Sequence, residues 1–205
     1  MITMKSYNWI LSTLLATMLL VGISCGGSTP SQYYTLSSVR NGTGAQQNEV
    51  AQPSIAIGIR TLKLPEYLLR QQIITKTGNR IIIAEFNRWA EPLEANFKRV
   101  LIEDLSADIP TNNIFLFPAR DSSVVNYQLL LEVTEFEFID GQVLLSARWG
   151  LEKGEKIAFL MDERSSFSER SGDSYEEMVA TMSRLIGRLS KEIAVEIRSK
   201  VTLGS

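Results

Sequence analysis

The chain has 205 residues, enough for one domain with a sizeable core, and its 21 basic and 23 acidic side chains leave a net charge of −2. Without a basic stripe or an aromatic-plus-arginine patch, that balance speaks against nucleic acid as a partner. Histidine is absent and Cys25 is the sole cysteine, which excludes the usual zinc site, a Ser-His-Asp triad and a Cys-His pair.

Met1–Asn8 carries Lys5 and the amino terminus, a weakly basic start. The uncharged apolar run that follows, ending at Ser24, covers about 15 residues, short of the roughly 20 that a bilayer-spanning helix needs. A basic start, a short apolar segment and small residues at its end describe an export signal. Cys25 directly follows Ser24 and precedes Gly26-Gly27-Ser28. This resembles the bacterial lipoprotein signal, in which the cysteine sulfur is acylated and the cysteine becomes the new amino terminus. Gly22 stands where such signals usually carry Leu. A plain secretory signal would instead leave a free thiol, which an exported protein seldom keeps at that position. Acyl chains bury about 0.8 kcal/mol per methylene, and roughly two suffice for stable anchoring. The expected organisation is a signal over 1–24, a lipidated cysteine and flexible tether over 25–31, and one domain over 32–205.

Tyr33–Ser38 is rich in strand formers and reads as the first strand. Asn41–Gln52 has loop composition, and Gly42-Thr-Gly44 within it is too short for a phosphate cradle. Pro53–Lys63 alternates, with Ile55, Ile57 and Ile59 on one face. Leu64-Pro-Glu-Tyr-Leu-Leu69 breaks that strand, because Pro65 lacks an amide hydrogen, and could open a single helical turn. Gln72–Lys76 and Arg80–Glu85 flank Thr77-Gly78-Asn79 as a hairpin. Trp89–Asp108 has the helical period, with Trp89, Leu93, Phe97, Val100, Leu101 and Leu105 three to four apart and Pro110 ending it.

Asn113–Phe117 reads as another strand. Val124–Ile139 alternates over a long stretch, Asp140-Gly141 turns it, and Gln142–Lys153 returns as its partner. A turn at Lys153-Gly154-Glu155 leads to a more polar strand, Lys156–Arg170. Ser174 stands where an N-cap is needed, and Tyr175–Lys200 carries the longest apolar stripe, from Met178 to Ile197. Core is the preferred account of that stripe over a lipid groove. The fold class is α/β in the α+β sense: a mainly antiparallel sheet with two long helices on one face.

Several stretches, in this order, resemble the PqiC-type (paraquat-inducible protein C) ABC-transport auxiliary lipoproteins. They are Tyr33-Tyr-Thr-Leu36, Leu64-Pro-Glu-Tyr-Leu68, Gln71-Gln-Ile-Ile-Thr-Lys76, Phe86-Asn-Arg-Trp-Ala-Glu-Pro-Leu93, Ala147-Arg-Trp149 and Arg188-Leu-Ser-Lys-Glu-Ile193. The resemblance covers essentially the whole chain after Cys25. It implies a fold similar to the amino-terminal domain of TolB, and a periplasmic lipoprotein serving a transport system with an MCE (mammalian cell entry) domain protein and an ABC permease. Such systems are thought to move lipid between the two membranes and support envelope integrity. Gly26 after the cysteine favours outer-membrane sorting, and self-association into a homo-oligomer is a further implication. No catalytic residue, metal ligand or cofactor is implied.

Leu64, Pro65, Tyr67 and Leu68 form an apolar loop that could mark an interface. Arg88 and Trp89, at the expected start of the first helix, are the other interface candidates. The competing account has Tyr67 and Leu68 capping the core and Trp89 packing under the sheet, and it is the stronger of the two. Glu135 and Glu137 share a strand face and Asp162-Glu163-Arg164 is a charge run. Solvated strand faces explain both better than acid/base pairs. Two other functions stand beside transport: a lipoprotein scaffold or activator of another envelope machine, and a carboxylate-only periplasmic hydrolase.

Overall fold

In the computed structural model the described residues are 29–39, 56–109, 114–116, 125–153 and 158–203. The expected signal, Cys25 and the loop over 41–52 lie outside them. Contacts group Ser31–Ser205 into one unit. Its longest feature is an antiparallel meander of β6 (Tyr127–Ile139), β7 (Gln142–Lys153) and β8 (Ala158–Arg170). Asp140 and Gly141 make the β6–β7 turn with φ of 48° and 80°, left-handed conformations that this Asp-Gly pair accommodates. Alternation then sends Tyr127, Leu129, Leu131 and Val133 of β6, and Val143, Leu145, Ala147, Trp149 and Leu151 of β7, into the core.

β6 is the axis of the whole sheet. One edge pairs with β7 along its full length, from Tyr127↔Lys153 to Ile139↔Gln142. The other edge is shared end to end by two strands, both parallel to it. β2 (Ile57–Lys63) takes Tyr127 to Glu132, and β3 (Gln72–Thr77) takes Phe138 and Ile139. β4 (Arg80–Trp89) pairs antiparallel with β3, while β1 (Gln32–Tyr34) adds to β4 and β5 (Ile114–Leu116) to β2, both in parallel. Antiparallel ladders hold most of the paired residues, as the sequence suggests. The parallel junctions make the sheet mixed.

The first helix, α1, runs Leu93–Asp108, not from Trp89. Trp89 closes β4, where its N–H donates to Gln71 O at 2.7 Å and the next N–H, of Ala90, donates to Tyr34 O at 2.8 Å. Pro92 explains the limit: the residue before a proline is disfavoured in helical conformation, so Glu91 cannot continue a helix backwards. Pro92 itself is the N-cap, with φ −51° and ψ 129°, and the extended Ile109 ends the helix just before Pro110.

β1 is also shorter than the strand expected over Tyr33–Ser38. After Tyr34 the chain leaves β4 because side chains of both helices take over its amides. Leu36 N donates to the buried Asn96 Oδ1 at 3.1 Å and Ser37 N to Ser183 Oγ at 3.2 Å. A Cβ on Gly187 would stand 2.5 Å from Val39 Cγ2, so glycine there lets the strap cross the second helix.

That helix, α2 (Tyr175–Leu203), buries Met178, Val179, Met182, Leu185, Ile186, Leu189, Ile193 and Ile197. It packs against α1, β7 and β8, and Phe97 of α1 meets Phe136 of β6 edge-on at 5.2 Å. Ser174 Oγ accepts the Glu177 amide hydrogen at 3.2 Å and donates to Glu177 Oε2 at 2.9 Å. Ser174→Ala is expected to cost about 1 kcal/mol, the usual worth of such a cap, read as a lower denaturation midpoint at unchanged slope. No helix among the described residues is long and apolar enough to cross a membrane.

Candidate docking surface

Leu64–Gln71 interrupts what would otherwise be one strand running along β6. Pro65 cannot donate to a ladder, and the chain there makes a short 3-10 turn over Glu66–Leu68, with Leu68 N donating to Pro65 O at 3.0 Å. Leu64 and Leu68 point inward and are 7% and 3% exposed. Tyr67, half-buried, donates its hydroxyl to Glu137 Oε2 at 2.7 Å, and Lys76 Nζ reaches Glu137 Oε1 at 3.1 Å. Glu137 is only 2% exposed, which overturns its reading as part of a solvated face; Glu135 is exposed and accepts from Ser146 Oγ at 2.7 Å.

A buried carboxylate needs partners that offset its desolvation, and Tyr67 and Lys76 supply them from two different elements. Burial, followed by the Glu137 contact, pushes the Tyr67 phenol well above its ordinary pKa. The loop is therefore fastened to the sheet through its tyrosine. Glu152, the other carboxylate buried in a strand, is closed by Arg60 Nη1 at 2.9 Å.

The six interface candidates divide accordingly. Leu64, Leu68 and Trp89 (4% exposed) belong to the core, whereas Pro65, Tyr67 and Arg88 retain partial exposure at the surface. β1 sits beside them. Tyr33 pairs with Arg88 and Tyr34 with Trp89, and the Tyr34 hydroxyl lies 3.0 Å from Asn87 Oδ1. Arg99 of α1 donates to Leu36 O at 3.0 Å and Glu91 Oε1 at 2.9 Å. The pieces Tyr33–Leu36, Leu64–Leu68, Gln71–Lys76 and Phe86–Leu93, scattered in sequence, thus converge at one end of the sheet.

The remaining two pieces meet elsewhere. Trp149 Nε1 donates to Ser165 Oγ at 2.8 Å, and that hydroxyl donates to Glu192 Oε1 at 2.7 Å. Arg188 stacks over the Phe167 ring at 4.8 Å. In the sequence Glu137 is weighed only beside Glu135, and Lys76 is not singled out as a partner for it. A separation of 61 positions between them leaves no local signal.

The groove beside α1, roughly 750 Å³, is open to solvent, and its carboxylates are tied up in pairs, Glu94 with Lys98 and Glu103 with Arg99. Among the described residues, no three acidic or cysteine side chains are grouped to hold a metal ion.

Comparison with known proteins places this geometry. Intermembrane transport lipoprotein PqiC of Escherichia coli (strain K12) is 27% identical over 196 residues, covering 93% of this chain and 97% of that protein, and the Shigella flexneri protein of the same name matches equally. The crystal structure of protein XCC0632 from Xanthomonas campestris superposes with a TM-score of 0.69 at 10% identity, over 85% of this chain and all of that one. A further crystal structure, of an uncharacterised protein, gives a TM-score of 0.63 at 23% identity over 82% of this chain and 99% of that one; both likenesses bear on the fold. The family model for the ABC-type transport auxiliary lipoprotein component matches residues 34–194, from the last residue of β1 into α2, and the chain belongs to that family.

Proposed function

We propose that this auxiliary lipoprotein is a non-catalytic subunit of an MCE/ABC-type lipid transport system, anchored to the outer membrane through acylated Cys25 and docking a periplasm-spanning partner. The observation that carries the reading is the family match over 34–194 directly behind a lipobox-like Cys25. Acyl chains hold the domain to one membrane, the Gly-Gly-Ser tether gives it reach, and the surface around Pro65, Tyr67 and Arg88 grips the partner, as a homo-oligomer or singly. Crosslinking in intact cells, with identification of the attached protein, tests this directly. Recovery of an MCE-domain protein or its permease supports the docking role, and exclusive recovery of cell-wall or secretion components overturns it.

The anchor carries its own expectation. Intact mass of the native protein should show a chain beginning at Cys25 with a diacylglyceryl group. Cys25→Ser should abolish incorporation of labelled fatty acid altogether, since no other cysteine remains. Labelling that persists in that variant removes the assignment.

A further inference from the structure

Three of the eight large apolar side chains exposed among the described residues stand side by side on one arm. Ile81, Ile82 and Ile83 follow one another on β4 and are 45%, 39% and 48% exposed, so this strand presents isoleucine side chains to both faces of the ribbon. One edge of this stretch is covered by β3, with Ile83 opposite Ile74 and Ile81 opposite Lys76. On the other edge β1 pairs only with Asn87, Arg88 and Trp89, and no strand among the described residues covers Arg80–Phe86. The outer strand at the far side of the sheet, β8, shows the usual protection of such an edge: over 161–170 its exposed residues are Asp162, Glu163, Arg164, Ser166, Ser168 and Arg170.

The direction of β1 and the length of the tether bound how far from this arm an anchor at Cys25 can lie. β1 runs parallel to β4 with Gln32 opposite Asn87, so its amino-terminal end faces back towards Ile83 and Ile81. Cys25 to Gln32, fully extended, covers at most about 25 Å. The arm from Asn87 back to Ile81 covers about 20 Å at the rise of a strand. An anchor at Cys25 therefore keeps the arm within reach of the bilayer its acyl chains enter.

We propose that Ile81–Ile83 is a second membrane contact: the β4 arm lies in the headgroup–acyl boundary of the phospholipid bilayer, beside the acyl anchor. This inference rests on the acylation of Cys25. At that depth the isoleucines leave water while headgroups and interfacial water still satisfy the free backbone edge, as the hydrocarbon centre would not. Arg80, exposed at the arm's end, meets lipid phosphates. The polar turn Thr77-Gly78-Asn79 keeps the arm along the surface instead of plunging.

Because acylation occupies Cys25, one introduced thiol can be labelled selectively in the full chain. Ile82→Cys and, as a control on the polar outer strand, Ser168→Cys carry an environment-sensitive fluorophore, with each protein reconstituted in phosphatidylethanolamine/phosphatidylglycerol vesicles containing nitroxide-labelled acyl chains. The expected result is a blue-shifted residue-82 probe quenched several-fold more strongly than the residue-168 probe. Equal and weak quenching at both sites overturns the proposal. So does shielding at residue 82 that follows protein concentration in detergent and ignores the lipid quencher, which would mean that a second copy covers the arm. Failure of the anchor itself reads differently: intact mass would show an unmodified thiol at residue 25, removing both readings.

Discussion

Trp149→Ala is expected to lower the unfolding free energy by about 3–5 kcal/mol, the range for truncating a large buried aromatic. For a chain of this size each kcal/mol moves the midpoint by about 2–4 °C, so the melting temperature should fall on the order of 10 °C. The residue is 2% exposed and stands in the middle of the meander, opposite Leu131 on β6 and Glu163 on β8. Its ring fills the space under α2, and its indole N–H begins the chain through Ser165 to Glu192.

Trp149→Phe separates these two roles. It keeps most of the volume but leaves Ser165 Oγ without its donor, a loss of roughly 1–2 kcal/mol for a buried hydrogen bond. A paired comparison by urea denaturation checks this: Ala well below Phe, and Phe below wild type, with slopes unchanged. Equal midpoints for all three would mean that neither the packing nor the indole hydrogen bond matters here.

How much of this was legible in the chain depended on whether the signal was local. α2 announced itself because Met178 to Ile197 repeats every three to four positions, and the meander because alternation continues on both sides of Asp140-Gly141. Trp89 misled for the same reason. Trp89, Leu93, Phe97 and Val100 keep a helical spacing across a strand-to-helix junction, and only Pro92 marks where the strand must end. The sharing of one β6 edge by β2 and β3 was not legible, since a parallel pairing leaves no turn signal between its partners. Nor was the burial of Glu137, because a carboxylate's exposure is decided by what folds over it.

The candidate surface shows the same division. Leu64, Leu68 and Trp89 are buried in the core. The competing account named Leu68 and Trp89 but not Leu64, and it put Trp89 under the sheet at a helix start, whereas Trp89 closes β4. Tyr67 combines both readings: its ring packs on the core cluster and its hydroxyl fastens a surface loop. An apolar loop in a sequence does not distinguish a hook from a plug.

Lys76→Met should be among the most damaging substitutions outside the hydrophobic core. Breaking a buried ion pair from one side costs about 3–5 kcal/mol, because the orphaned carboxylate remains in place. Lys76 is 30% exposed, so water relieves part of this and about 2–3 kcal/mol is expected here. The compensating variant decides the cause: Lys76→Met with Glu137→Leu should recover much of the loss, because the charge that needed an offset is gone. A steric role for Lys76 would show no such recovery. Tyr67→Phe removes a hydrogen bond to a charged group, worth about 1.5–3 kcal/mol, and also alters the pH profile. Since burial and Glu137 raise the Tyr67 phenol above its ordinary value of 10.0, its contribution is fully present below pH 10. It declines as pH rises through the folded value, at up to about 1.4 kcal/mol per pH unit. Wild type should therefore lose stability more steeply than Tyr67→Phe above pH 10, and identical alkaline slopes would show that the phenol is not held by Glu137 in solution. Crosslinking the same Tyr67→Phe protein in cells then separates fastening from docking, since this variant loosens the loop while leaving the aromatic surface for a partner.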